Sequence, residues 1–99
     1  MPAETQPHDV ALAPVLILLG GAARRAAEAA HAAYAVADTL ASDPAVSTRH
    51  TATGDLHWQR ATALRAKAGE LRRLVTDPAA TPADRVEAAA SAHALIASR

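Results

Sequence analysis

Glu28 and His31 are the first residues whose spacing could do chemistry. Glu-x-x-His puts a carboxylate and an imidazole on one helical face, as in di-iron carboxylate bundles. Such a centre needs a second copy of the pair and two more glutamates from facing helices. The chain has one copy, and Glu70 and Glu87 would have to converge on it. The five histidines, His8, His31, His50, His57 and His93, follow no metal-ligand spacing, so neither a metal nor another cofactor is expected. His57 and His93 fall toward the apolar faces of their helices, where protonation at about pH 6 is expected to loosen packing. Gly20-Gly21 lacks the further glycines and the preceding strand of a phosphate loop. No stretch resembles a nucleophile elbow. With no cysteine there is no disulfide, thiolate zinc site or cysteine nucleophile. Small helices also enclose little concave space for a substrate. The chain therefore reads as a non-enzyme.

The other available chemistry is ionic. Arg60, Arg65, Arg72 and Arg73 are the candidate phosphate contacts. Lys67 stands among them, Trp58 at their start and Arg49 upstream. Their positions spread around a helix and match no helix-turn-helix spacing. Ten basic and ten acidic residues cancel over the whole chain, which removes the overall charge of a general nucleic-acid binder. A small nucleic-acid-associated regulator using this basic segment is the alternative function.

The elements that must position these groups are helices. Ninety-nine residues make one domain. The chain is 51% hydrophobic, but it has no Phe, one Trp and one Tyr, and much of the rest is alanine. Alanine buries little area, so the core is thin and burial against a second chain would help. Nine of the ten basic residues are arginine, which with the alanine bias suggests a high-GC bacterial genome. Residues 1–8 read as a disordered tail. The first helix is expected over about 10–41, with Pro14 near its first turn. Its heptad seam runs Leu12, Val15, Leu19, Ala22, Ala26, Ala29, Ala33, Val36, Leu40. Gly20-Gly21 predicts a kink or a close helix approach. Residues 45–54 read as a loop. The second helix is expected over about 55–76, burying Ala61, Leu64, Ala68, Leu71 and Val75. The third, over about 82–98, opens with a capping box of Thr81, Pro82 and Asp84. Its expected apolar face is Val86, Ala89, Ala90, His93, Ile96 and Ala97. The fold class is all-α: a three-helix bundle or an extended helical hairpin with a long alanine-rich first helix.

One segment exceeds what the fold requires. From Val15 to Leu19 every residue is aliphatic, so this part of the helix is apolar all round and must be covered by something. Leu12, Val15, Leu16, Ile17, Leu18 and Leu19 are the expected partner interface. The partner is a second copy or another helical protein. The apolar run Val10–Ala23 is too short for a membrane span, and a positive leader is lacking, so a cytoplasmic location is expected. The function expected from these readings is a non-enzymatic protein–protein interaction module: a small adaptor, regulator or accessory subunit.

Overall fold

The structure, a computed structural model, describes residues 7–98. It is all-helical: α1 spans Pro7–Thr39, α2 Pro44–Thr76 and α3 Pro82–Ala97. Helices α1 and α2 form a long antiparallel hairpin, and α3 folds back along one side of it. The molecule is a rod of 67 × 19 × 17 Å. Its radius of gyration is 17.9 Å, against about 13 Å for a compact chain of this length. Of the two architectures expected, the extended hairpin describes it better. The expected tail over 1–8 lies outside the described residues as far as residue 6, and α1 runs from Pro7.

The second helix starts at Pro44, well before the expected Asp55, so 45–54 is helix and not loop. Asp43 is extended and accepts the Val46 N–H, while Pro44 takes the first helical position, where a missing N–H costs nothing. The hydroxyls of Thr51 and Thr53 donate back to the carbonyls of Ser47 and Arg49. Ser47 donates to the Ala37 carbonyl of α1 at 2.9 Å. Contact with α1 thus overrides the weak helix preference of these small and β-branched residues.

The core lies in the half of the rod that α3 covers. Leu12, Val15, Leu19, Ala22, Ala23, Ala26 and Ala27 of α1 pack with Ala61, Leu64, Ala68 and Leu71 of α2 and Ala92 of α3. The expected seam of α1 holds as far as Ala26 and then rotates. Ala30 and Ala37 are buried, Ala29 and Ala33 are half-buried, and Val36 is exposed. A straight helix drifts about 20° per heptad from a 3.5-residue repeat, and alanines on several faces do not oppose the drift. Val75, expected inside, is 39% exposed at the end of α2. Gly20-Gly21 lie within α1, which runs unbroken through them.

Candidate functional site

Two arginines lock α3 onto the hairpin. Arg85, in the first turn of α3, is buried. Its guanidinium donates to the carbonyl of Leu74 in the last turn of α2 and to those of Asp77 and Ala80 just after it, at 3.1–3.2 Å, where the helix end leaves carbonyls short of helical donors. In return Arg60 of α2 donates to the carbonyls of Leu95 and Ile96, at 3.2 and 2.9 Å, in the last turn of α3. These bonds set the rotation of α3. Arg85 and Ala92 face inward, with Ala88, Ala89, Leu95 and Ile96 packed beside them. Of the expected apolar face, Val86, Ala90, His93 and Ala97 are exposed, and only Ala89 and Ile96 are half-buried. The capping box is present in full. Thr81 N–H donates to the Asp84 carboxylate at 3.0 Å, and Asp84 N–H donates to the Thr81 hydroxyl at 3.1 Å. The Thr81 main-chain N–H and then the Thr81 hydroxyl hold the Asp84 carboxyl below its ordinary range; desolvation opposes them, and Arg85 adds a still smaller lowering.

The six aliphatic residues of the expected interface divide into two groups. Leu12, Val15 and Leu19 are buried in the chain's own core, and Leu16 is half-buried against it. They are packing residues here, because the helical period turns them toward α2. Ile17 is 76% exposed and Leu18 47%. Ile17 points directly away from the seam, and Ala13, Pro14 and Gly20 beside it are also exposed. A β-carbon at Gly20 would meet nothing within 4 Å, so no internal contact explains this glycine. Farther along the same outward stripe lie Arg24, Glu28, His31, Ala32 and Ala35, all exposed.

The candidate phosphate contacts do not share one surface. Arg60 is committed to the end of α3. Arg73 borders a mixed-charge cleft with Lys67, Glu70, Asp77, Asp84 and Glu87, in which Lys67 and Glu70 pair at 2.8 Å. Arg65 and Arg72 lie on the opposite side of the hairpin seam. With Arg24, Glu28 and His31 they line a shallow groove of about 520 Å³. Trp58 stands at its end. The Arg65 guanidinium is 5.5 Å from the indole centroid, and the His31 ring meets it edge-on at 5.9 Å and 61°. His31 is exposed all the same, and helix periodicity gives no sign of this contact between helices. Glu28 and His31 share that groove, but among the described residues no three His, Cys, Asp or Glu come together as metal ligands.

A third open feature continues the trough that holds α3. Beyond Leu95 and Ile96 the trough remains as a groove of about 830 Å³ between Ala22, Ala26 and Ala29 of α1 and Thr53, Leu56 and His57 of α2. Near the hairpin turn, Tyr34 crosses from α1 and donates to Asp55 at 2.6 Å. That bond, followed by desolvation and the nearby carboxylate charge, raises the phenol's pKa above its ordinary value. No helix among the described residues is long and apolar enough to cross a membrane. No protein-family model matches this chain, and no significant match to it was found among curated proteins or solved structures.

Proposed function

We propose that the protein is a non-enzymatic helical interaction module, a small adaptor, regulator or accessory subunit, which binds through the outer face of α1. One observation carries this reading: Ile17 and Leu18 are exposed on a helix whose neighbouring aliphatics already fill the core. Burying a side chain of this size against a partner is worth about 1.5–3 kcal/mol. Gly20 supports the same face. A glycine inside a helix costs about 1 kcal/mol relative to alanine, and here its small size benefits only an approach from outside.

The preferred partner is a second copy. An antiparallel pairing of two α1 helices about an axis level with Ala26 sets Arg24 opposite Glu28 twice, Ile17 opposite Ala35, and Gly20 opposite Ala32. A two-fold interface has to be self-complementary in this way. The cysteine-free composition suits a reducing compartment, and a cytoplasmic location goes with this reading.

Sedimentation equilibrium tests it. The wild type is expected to show a mass that rises with concentration. Ile17→Glu/Leu18→Glu is expected to stay monomeric, with unchanged helix content by circular dichroism. Arg24→Glu should weaken association about tenfold or more, and adding Glu28→Arg should restore it. A wild type that stays monomeric at high concentration would remove the second copy as partner.

A second reading has one observation in its favour. Arg24, Arg65 and Arg72 line one groove beside the chain's single tryptophan, and cations with an aromatic plane suit single-stranded nucleic acid. Salt-dependent binding of a labelled single-stranded oligonucleotide, lost in Arg65→Glu/Arg72→Glu, would favour it over the first.

A further inference from the structure

We propose that the α1–α2 groove beyond the end of α3 receives an acidic amphipathic helix from a partner protein. This surface is separate from the outward face of α1.

Helix α3 shows what the trough accepts. It seats small and aliphatic side chains, Ala88, Ala92, Leu95 and Ile96, between α1 and α2. But α3 has 16 residues and each hairpin helix has 33. At about 1.5 Å per residue, α3 covers roughly half of the length. The uncovered half has room for about three to four helical turns. Where it meets the end of α3, its α1 floor is the buried Ala22 and Ala26 followed by the half-buried Ala29, small enough for another helix backbone to come close. Its α2 wall presents Leu56, which is 67% exposed. Val36 lies farther along and is 40% exposed. These are core-like positions without a cover.

Charge indicates what the partner carries. The ionisable residues lining the groove are Arg25, His57 and Arg60, and no Asp or Glu is among them. Arg49 lies one turn beyond Thr53 on the same stripe of α2. Arg60 already serves the carbonyls of α3, which leaves Arg25 and Arg49 to meet acidic side chains. A helix with an aliphatic stripe flanked by Glu or Asp satisfies both the wall and the rim. A basic helix of the same shape would be repelled.

The test uses the full chain and two synthetic helical peptides of about four turns. They share one Leu/Ala stripe and carry either glutamates or lysines on the other face. The acidic peptide is expected to bind, as read by fluorescence anisotropy. Amide shifts should concentrate at Ala26, Ala29, Thr53 and Leu56. Leu56→Glu and Arg25→Glu should each weaken binding by about tenfold or more. Both positions are exposed, so the melting temperature should not change. Ile17→Glu/Leu18→Glu should bind the peptide like the wild type. Equal binding of the two peptides, or full binding by Leu56→Glu, would overturn the proposal. Self-association lost in Leu56→Glu and kept in Ile17→Glu/Leu18→Glu would also overturn it, because it would assign the groove to a second copy.

Discussion

Tyr34 is fastened at two points. Its ring lies over Gly54, and its hydroxyl reaches Asp55. A β-carbon at Gly54 would come within 2.5 Å of the ring, so Gly54→Ala should destabilise the fold by about 1–3 kcal/mol, despite alanine's better helix preference. Gly69 is the control. A β-carbon there meets nothing within 4 Å, and Gly69→Ala should stabilise by about 0.5–1 kcal/mol. Urea unfolding of the two variants gives opposite signs if ring packing is the cause and the same sign if it is not. The phenol also titrates visibly, since the chain has one tyrosine. Its pKa is raised in the folded state. The stability it contributes is therefore complete below the unfolded value of about 10 and is lost as the pH rises through the folded value. Phenolate absorbance should develop at higher pH in the wild type than in Asp55→Asn, and coincident curves would contradict the role given to Asp55. In the sequence Gly54 reads only as the last residue of the 45–54 loop. Its true partner stands twenty positions away on another helix, outside any local pattern.

Helix α3 shows which instructions are local and which are not. The Thr81–Asp84 box was legible because both partners lie within four residues and no other helix is needed. Thr81→Ala should cost about 1 kcal/mol. The Asp84 carboxyl titrates below its ordinary range, so its contribution is present above the unfolded value of about 3.9 and is lost as the pH falls through the folded one. The melting temperatures of wild type and Asp84→Asn should differ at neutral pH and converge in acid. The rotation of α3 was not legible. Hydrophobic patterning turned Val86 inward, whereas the structure turns Arg85 inward, because carbonyls at the end of α2 need donors that Val86 does not have. Replacing Arg85 with methionine keeps much of the volume and removes the donors, and should cost about 2–4 kcal/mol. Arg85→Lys should recover only part of that loss, because one ammonium cannot span three separated carbonyls. A methionine variant as stable as wild type would show the clamp to be dispensable.

Along the whole molecule the packing is uneven. Every fully buried leucine, Leu12, Leu19, Leu64 and Leu71, lies in the half covered by α3. Toward the hairpin turn the buried residues are Ala30, Ala37 and Gly54, which contribute far less apolar area. Amide exchange should therefore be fastest from about residue 30 to 56 and slowest over 12–27 and 61–71. Uniform protection along the rod would contradict this. The same unevenness explains how far the sequence could be read. Where leucines alternate with alanines, the seam of α1 and the core of α2 follow from spacing alone. Where alanine fills every face, the register passes to Tyr34 and Ser47, whose partners lie on the neighbouring helix. The outward Ile17 and Leu18 were visible because the run exceeded what one buried face can use. Read from the run alone, Leu12, Val15, Leu16 and Leu19 fall on the same surface, because an unbroken aliphatic run hides which residues turn inward.

The chain's single indole sits where these two halves join. Trp58 touches His31 of α1 and Arg65 of its own helix, on the side of the seam away from α3. Its emission is therefore a gauge of the distance between the hairpin arms at mid-length and is indifferent to whether α3 is seated. Fluorescence and circular dichroism followed together would separate the opening of the arms from the release of the third helix, with no label added.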